Sequence, residues 1–349
     1  MSATPIQNSG LVITSEPNFS QWLSDRHLSL AFTTYQAGKI FFIGLQPNGE
    51  LSIFERTFDR AMGMWYDNSG LYLSSLYQIW GFTNALTPGE NYNGYDSVLI
   101  PQFSYVTGDL DIHDLVINAS GKLIFANTLF NCLSTVSQTH SFTPLWQPSF
   151  ISQLVAADRC HLNGIALKDG QVRFVSAIGH TDRANGWRDL RRDGGCIIDV
   201  VEEEIIAEGL SMPHSPRWYG DRLWVLNSGS GEFGYIEPDT GTFKALVFCP
   251  GYLRGCSLID NYAVVGISQL RNKTFSGLLL DDNLQRAGLE SFCGLLIIDL
   301  LQGKIVHWLK LEGVVKELYD VVILPQIRRP MALGFKSDEI KRLITIDRL

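Results

Sequence analysis

Three histidines recur along the chain in similar local contexts. His113, His161 and His214 each stand at or near the start of a short apolar run, and His180 closes another such run. Imidazole groups that converge in space can bind a transition metal or exchange protons near neutral pH. The competing interpretation is that these rings are polar groups satisfied by water or backbone. No HxH or HxxxH spacing decides in favour of a metal.

Carboxylate and amide side chains accompany the histidines. Asp114 follows His113 directly, Asn163 lies two residues after His161, and Glu317 precedes a later apolar run. A histidine beside a carboxylate in a partly desolvated pocket can act as an acid/base pair. The residues predicted to be catalytic are therefore His113, Asp114, His161 and His214.

Two long predicted loops carry candidate ligand-binding residues. The first, HTDRANGWRDLRRDGG, is rich in arginine, which indicates a carboxylate, phosphate or sulfate ligand because arginine binds such groups through paired hydrogen bonds. The alternative is that this loop pairs with its own aspartates and that Trp187 anchors it. The second loop has a helical pattern from Asp281 to Phe292 and is predicted to form a lid. The predicted ligand-binding residues are Arg183, Arg254, Arg271 and Asn227.

The elements that would bring these residues together form an internal repeat. Five times, an anchor residue precedes an apolar run, and seven positions after the anchor a turn residue opens a second apolar run. Gly, Asn and Asp suit the turns because they tolerate positive φ, so each unit predicts a β-hairpin. The anchors are Gly63, Asp114, Asn163, His214 and Arg254, and the turns are Gly70, Gly121, Gly170, Asp221 and Asn261.

The spacing of the hairpins predicts the fold. Successive anchors are 40 to 51 residues apart, which is typical of propeller blades. A hairpin buries too little apolar surface to be stable alone, so the units must stack. Further apolar pairs, such as GGCIIDVVE with EEIIAEGL, supply two more strands for each hairpin. We therefore predict an all-β fold, a six-bladed β-propeller with short peripheral helices.

The two ends of the chain are predicted to close the ring. Residues 316–325 read as one inner strand, and residues 28–58 read as three strands that lack an inner partner. Together they complete a sixth blade and remove an exposed sheet edge. Residues 1–349 then form a single propeller domain. A helix is predicted at 18–27 with Asn18 as its cap, and 337–349 form a tail with Ser337 as a helix cap.

Composition and charge exclude several classes of protein. No apolar stretch approaches the roughly 20 residues of a membrane-spanning helix, and the N-terminus lacks the features of a signal peptide. Six scattered cysteines without a CxxC pair favour a reduced, cytoplasmic protein. The net charge of −8 argues against binding to DNA or to an anionic membrane. We therefore expect neither a nucleic-acid nor a membrane partner.

The third hairpin carries a resemblance to known propellers. Its sequence HLNGIALKDGQVRFVS resembles the inner strand of the gluconolactonase (senescence marker protein) and strictosidine synthase types. In gluconolactonases the corresponding asparagine holds a divalent cation at the centre of the channel. The resemblance implies that Asn163 is a metal ligand and that Glu317 is in a position similar to the family's metal-binding glutamate.

The next hairpin of this chain departs from the gluconolactonase pattern. His214 stands where the family would have an aspartate ligand, so the resemblance implies neither a preference for calcium nor lactonase activity. The predicted cation is divalent, with Ca, Mn and Zn as alternatives. Its predicted ligands are Asn163, His161, His214 and Glu317.

A second resemblance spans most of the chain and includes several of the anchors. The sequence looks like a bacterial family of conserved hypothetical proteins with a domain of unknown function, and this likeness implies a fold but no reaction. The segments that carry it are TTYQAGKIFFIG, FDRAMGMWYD, RCHLNGIAL, MPHSPRWYGDRLWVLNSGSGEFGYI and PGYLRGCSLIDNYAVVGISQLR.

Two functions are compatible with these observations. Inner strands of a propeller begin at one end of a central channel, so the histidines and Arg254 should converge at that mouth. The first function is a small-molecule binding protein or enzyme with its site there, acting on an anionic or hydroxylated molecule. An enzyme of this kind would be a hydrolase or lyase assisted by a histidine base or a bound cation. The second is a noncatalytic scaffold that binds a protein partner or forms a homo-oligomer.

Overall fold

Six sheets surround a central channel in the computed structural model, which describes residues 10–269, 277–336 and 338–346 and the backbone of 6–8. The innermost strands of the six sheets contact one another in a closed cycle. This arrangement confirms the prediction of a six-bladed β-propeller. The blades are called first to sixth here, beginning with the blade that contains residues 28–57.

The third, fourth and fifth blades are four-stranded antiparallel meanders, as the paired apolar runs predict. From the channel outward, the strands are Ile112–Ile117, Leu123–Asn127, Cys132–Thr135 and Thr143–Trp146 in the third blade; Leu162–Lys168, Gln171–Ala177, Gly195–Asp199 and Glu204–Leu210 in the fourth; and Pro213–Tyr219, Arg222–Asn227, Glu232–Ile236 and Phe243–Phe248 in the fifth.

The first blade joins the two ends of the chain. Its inner strand, Val321–Pro325, pairs antiparallel with Leu28–Thr34, so that Val321 faces Phe32. The outer strands are Lys39–Leu45 and Leu51–Thr57. The predicted closure by one C-terminal and three N-terminal strands is therefore confirmed, although the inner strand begins at Val321 and not at Lys316.

The second and sixth blades have outer strands that sequence analysis did not predict. In the second blade, Pro330–Ala332 pairs parallel to the fourth strand. In the sixth, an N-terminal hairpin extends the sheet beyond its fourth strand. The strands are Met64–Asp67, Gly70–Ser74, Gln78–Asn84, Ser97–Val106 and Pro330–Ala332 in the second blade, and Tyr252–Ile259, Tyr262–Ser268, Cys293–Asp299, Lys304–Gly313, Leu11–Ser15 and Ile6–Asn8 in the sixth.

The helices are short and peripheral. The predicted N-terminal helix spans Phe19–Asp25 and buries Phe19, Trp22 and Leu23 in an apolar cluster shared by the first and sixth blades. Asn18 makes no capping hydrogen bond, contrary to prediction, and its side-chain nitrogen donates to Glu16. In the C-terminal tail, Asp338–Lys341 forms a single 3-10 turn, and the predicted cap Ser337 lies outside the described residues.

Two further helical segments lie in the long loops. Gly186–Leu190 is a 3-10 helix in the arginine-rich loop. Leu279–Ala287 is an α-helix that begins two residues before the predicted start at Asp281. Its side chains Leu280 and Leu284 join Trp187 in one buried apolar cluster, so this helix packs against the arginine-rich loop.

Every inner strand has a β-bulge at its start, within the strand in the third to sixth blades and just before it in the first and second. In the third blade, for example, His113 and Asp114 together oppose a single residue of the neighbouring strand. A bulge of this kind redirects the side chain of its first residue. The bulge pairs are Tyr319/Asp320, Met62/Gly63, His113/Asp114, Asn163/Gly164, Ser215/Pro216 and Arg254/Gly255 in the first to sixth blades.

The bulges show that the five anchors were not equivalent positions. Gly63 and Asp114 are second bulge residues, Asn163 and Arg254 are first bulge residues, and His214 precedes its bulge. The predicted repeat was therefore correct in kind but shifted by one or two residues in three of the five units.

Within the described residues, no helix has the length and apolar character needed to cross a membrane. All six cysteines are buried and carry free thiols. Burial raises the pKa values of these thiols above the ordinary value, so each stays protonated and packs as a small apolar side chain.

Candidate functional site

Two rings of residues form the mouth of the channel. The first ring consists of the first residue of each bulge. The second consists of the residues two positions earlier in the chain, three of which (Arg60, Asp111 and His161) have a positive φ. The first ring is Tyr319, Met62, His113, Asn163, Ser215 and Arg254, and the second is Glu317, Arg60, Asp111, His161, Pro213 and Tyr252.

Side chains of the rings meet across the channel. The ring of His113 lies 5.6 Å from that of Tyr319, although a whole blade separates them along the circle. The guanidinium carbon of Arg254 is 5.0 Å from the centre of the Tyr319 ring and 5.2 Å from that of Tyr252. His214 packs edge-on against Tyr252 at 5.6 Å. The predicted convergence of His113, His214 and Arg254 at the mouth is thus present.

Hydrogen bonds set the tautomer of His113. Its Nδ1 lies 2.8 Å from the carbonyl oxygen of Asp111 and 2.9 Å from the hydroxyl of Thr128, whose own proton goes to the carbonyl of Leu162. Because both partners accept, Nδ1 carries the proton and Nε2 keeps a lone pair in the neutral ring. Burial lowers the pKa of His113 to about 4, so the neutral form prevails at neutral pH.

His214 has the same tautomer for the same reason. Its Nδ1 lies 2.8 Å from the carbonyl oxygen of Met212, which can only accept a hydrogen bond. Burial, together with the nearby Arg254 guanidinium, lowers the pKa of His214 well below its usual value. The mouth therefore contains two neutral imidazoles whose Nε2 atoms are hydrogen-bond acceptors.

His161 is oriented by a carboxylate that sequence analysis did not identify. Its Nδ1 lies 3.0 Å from Asp158, and the same carboxylate accepts a 2.8 Å hydrogen bond from the indole of Trp187. Burial alone would raise the pKa of Asp158, but these two partners lower it below the ordinary value. Trp187 also stacks on His161 at 4.1 Å, which supports its interpretation as an anchor for the loop.

Asp111 brings a second carboxylate next to the histidines. One ring nitrogen each from His113 and His161 and one carboxylate oxygen of Asp111 lie within 4.8 Å of one another. The backbone of Asp111 has a positive φ of 54°, which an aspartate tolerates better than most residues. On its other side Asp111 lies 3.9 Å from Arg60, which is paired mainly with Asp109.

Two uncharged residues of the first ring each have a buried polar atom with no hydrogen-bond partner among the described residues. These atoms are the amide nitrogen of Asn163 and the hydroxyl of Tyr319, in residues that are 3% and 5% exposed. Buried polar groups are nearly always hydrogen-bonded, since an unpaired one is costly. Both atoms therefore point to a bound water or ligand at the mouth.

Asp114 is committed to a layer below the mouth. Its carboxylate accepts hydrogen bonds from the backbone of Leu115 and Ile165 and from the guanidinium of Arg217 at 2.9 Å. Arg217 also lies 3.9 Å from Asp320. Asp114 was predicted to form an acid/base pair with His113. In the structure it forms an ion pair with Arg217 instead.

Other predicted residues lie in different surroundings. Arg183 is exposed and pairs with Asp189 at 2.5 Å, as the alternative for the loop predicts. Asn227 holds adjacent chain segments together by accepting a 2.7 Å hydrogen bond from the backbone of Ser211. Arg271 lies outside the described residues.

Glu317 is nearly buried at the mouth, in the irregular segment that precedes the first inner strand. Burial alone would lower the pKa of Arg254, but the tyrosines of the mouth and Glu317 raise it, so Arg254 stays charged. Glu317 and His161 are both second-ring residues, whereas Asn163 belongs to the first ring. The predicted metal ligands thus lie at the mouth, but a closer group of donor atoms lies around Asp111.

Sequence analysis missed Asp111, Asp158, Tyr252, Tyr319 and Arg217. A signal for Asp111 was available in the sequence. Asp111 lies two residues before His113, as His161 lies two residues before Asn163, and both later residues are first bulge residues. The bulge itself hid that signal, because an extra residue changes which side chains face the channel.

Solved structures of similar shape share the propeller fold but little sequence. The chain is similar to one in a crystal structure of a nidogen/laminin complex, with 13% identity over 86% of this chain and 99% of that one at a TM-score of 0.54. It is also similar to a protein of unknown function from Bacteroides caccae, with 11% identity over 85% and 98% of the two chains at a TM-score of 0.52. At such identities the likeness shows the fold alone.

A virginiamycin B lyase from Staphylococcus aureus aligns less well, with 12% identity over 82% of this chain and 77% of that one at a TM-score of 0.43. No curated protein matches the sequence significantly. A family profile does match, and it covers all the described strands except the N-terminal hairpin of the sixth blade, Ile6–Asn8 and Leu11–Ser15. The chain belongs to this family, which is defined by a domain of unknown function (DUF4915) that covers residues 17–333.

Proposed function

We propose that this protein binds a small molecule that carries both an anionic group and a hydroxyl group, in the mouth of the propeller channel. The observation that carries the proposal is the placement of one guanidinium, that of Arg254, beside two neutral imidazoles. Arg254 offers charged donors to a carboxylate or phosphate. The Nε2 atom of His214 is left to accept a hydrogen bond from a hydroxyl.

The unpaired buried groups support the same ligand class. The amide of Asn163 and the hydroxyl of Tyr319 are donors without an acceptor among the described residues. A ligand rich in oxygen would supply acceptors to both. The aromatic faces of Tyr252 and Tyr319 flank Arg254 and partly shield it from water, which strengthens its attraction for an anion.

The proposal extends to hydrolase or lyase chemistry on such a ligand. The lone pair on Nε2 of His214 is positioned to accept a proton from a hydroxyl or from an attacking water, because Nδ1 is held by the Met212 carbonyl. Because burial and the Arg254 guanidinium lower the pKa of His214, the imidazolium would form only transiently and would pass its proton to the leaving group or to water. The primary proposal is that the protein binds this ligand, and the secondary proposal is that it also converts it.

The test is a thermal-shift screen of hydroxy acids, sugar acids and sugar phosphates, with neutral sugars as controls. We expect at least one anionic compound to raise the melting temperature and Arg254→Met to abolish that response. Arg183→Met is the matched control, because Arg183 is exposed and paired within its own loop, and this variant should respond like the wild type.

Three results would overturn the proposal. They are no response to any compound, an equal response to neutral sugars, or an unchanged response in Arg254→Met. The first of these is the outcome that a noncatalytic scaffold requires. Turnover is assessed separately by following each stabilising compound by NMR in the presence of the wild type and of His214→Gln.

A further inference from the structure

We infer that Asp111, His113 and His161 bind a divalent transition-metal ion at the channel mouth. One donor atom from each of these residues lies within 4.8 Å of the other two. Of the predicted ligands Asn163, His161, His214 and Glu317, this set contains only His161. It deepens the proposed function, on which it rests only for the identity of any molecule that binds next to the ion.

The hydrogen bonds of the two histidines are those of metal ligands. A histidine that binds a metal through one nitrogen usually donates its other N–H to a carboxylate or a backbone carbonyl. Nδ1 of His161 faces the Asp158 carboxylate at 3.0 Å, and Nδ1 of His113 faces the Asp111 carbonyl at 2.8 Å. In both rings Nε2 is the atom left for the ion.

Asp158 is itself held in place by a second partner. The indole N–H of Trp187 donates to Asp158 at 2.8 Å, and the Trp187 ring stacks on His161. The orientation of His161 is thus fixed from its edge and from its face. Such support reduces the reorganisation that binding an ion would require.

The charges around the cluster favour a cation. Asp111 and Asp158 bring two carboxylates to the histidines, and Glu317 lies at the same mouth. Of the cations at the mouth, Arg60 pairs with Asp109, and the charge of Arg254 is partly offset by Glu317. The Asp111 side chain is 32% exposed, which gives an ion a path from solvent to the buried imidazoles.

The donor atoms define the class of ion. Two imidazoles and one carboxylate suit Zn²⁺, Mn²⁺, Co²⁺ or Fe²⁺, whereas Ca²⁺ prefers an all-oxygen shell of six to eight ligands. Three protein ligands leave at least one coordination position open. That position would be available to a hydroxyl or carboxylate oxygen of the proposed small molecule.

The experiment uses the full chain, stripped of metal with a chelator, and metal ions alone. Titration calorimetry with Zn²⁺ should give one site per chain, and Co²⁺ should give visible absorption bands typical of mixed nitrogen and oxygen ligands. We expect His161→Ala to weaken Zn²⁺ binding at least about 100-fold and Asp158→Asn to weaken it about 10- to 100-fold.

The matched control is His180→Ala, because His180 is exposed and lies outside the cluster. This variant should bind Zn²⁺ like the wild type. Asp111→Asn changes a half-exposed side chain and is expected to fold normally, so it tests the site even where a buried histidine variant does not fold. It should weaken Zn²⁺ binding and shift the Co²⁺ bands.

The inference is overturned by any of three results: no saturable binding of Zn²⁺, Co²⁺ or Mn²⁺; binding unchanged in both His161→Ala and Asp111→Asn; or tighter binding of Ca²⁺ than of Zn²⁺. These measurements contain no organic ligand. Failure of the metal site is therefore distinguishable from failure of the proposed anion site, which Arg254→Met tests in the metal-free protein.

Discussion

Asp114 and Asp320 make the same pair of backbone hydrogen bonds in two different blades. Each carboxylate accepts from the next residue of its own strand, at 2.9 Å and 2.8 Å, and from the inner strand of the following blade, at 3.0 Å and 2.8 Å. Both carboxylates face Arg217 from the fifth blade. Three alternate blades are thus joined through one buried guanidinium.

Glycines occupy the corresponding position in the other three blades. A Cβ atom at Gly63, Gly164 or Gly255 would lie 2.3–2.8 Å from atoms of the adjacent inner strand. The absence of a side chain therefore allows neighbouring inner strands to approach closely. The second bulge residues therefore alternate around the ring between Gly and a residue with a side chain, which is Asp in two blades and Pro in one, and the narrow layer below the mouth depends on this alternation.

Replacement of Arg217 should destabilise the fold strongly. Arg217→Met leaves Asp114 and Asp320 buried without their cation, and removal of one partner of a buried ion pair costs about 3–5 kcal/mol. Urea unfolding followed by circular dichroism measures the loss. Arg222→Met in the same blade is the control, because Arg222 is exposed, and a loss in Arg217→Met no larger than in this control would contradict the prediction.

Asp320 should make stability fall as the pH rises toward neutrality. Burial and the Asp114 carboxylate raise the pKa of Asp320 from 3.8 to about 7. Between these values the folded chain holds a proton that the unfolded chain has lost. This stabilisation is complete below pH 3.8 and is lost as the pH rises through 7. Asp320→Asn should remove this contribution, and an identical pH dependence of the unfolding free energy in both proteins would refute it.

His214 should have the opposite effect at acid pH. Its pKa is lowered well below 6.5 in the folded protein, so the unfolded chain takes up a proton first. The corresponding stabilisation is complete above pH 6.5 and is lost as the pH falls through the folded pKa. His214→Gln should lose less stability than the wild type between pH 6.5 and 4.5. A steeper loss in the variant would be inconsistent with a buried neutral imidazole.

An added methyl group where two inner strands approach closely should destabilise the fold. Gly164→Ala would place Cβ 2.3 Å from Pro216 Cδ and 3.0 Å from the backbone nitrogen of Ser215. Overpacking of this kind costs about 1–3 kcal/mol. Gly334→Ala is the control, since its nearest atom is 3.4 Å away in the long side chain of Arg56. Equal unfolding free energies for the two variants would exclude the close approach.

Closure of the ring should be required for cooperative folding. A chain that ends at residue 320 lacks Val321–Pro325 and leaves the edge of Leu28–Thr34 unpaired. We expect such a chain to lose its cooperative thermal transition and to aggregate. A chain that ends at residue 336 keeps every strand and should melt cooperatively, so cooperative melting of both would show that closure is dispensable.

The sequence by itself determined the repeat, the hairpins and the closure of the ring. Each rests on local signals: alternating or continuous apolar runs, turn residues that tolerate positive φ, and unpaired strands at the two ends. Because these signals recur with a period of about 50 residues, they predict the propeller and the convergence of His113, His214 and Arg254 at one mouth.

Only the tertiary structure decided which polar residues face each other. A β-bulge adds one residue to a strand without a distinctive sequence, and it thereby changes which side chains point into the channel. Asp114 is next to His113 in sequence, yet it turns away to Arg217, while Tyr319 reaches His113 across a blade. Contacts between residues hundreds of positions apart depend on the shape of the whole ring, which no local pattern encodes.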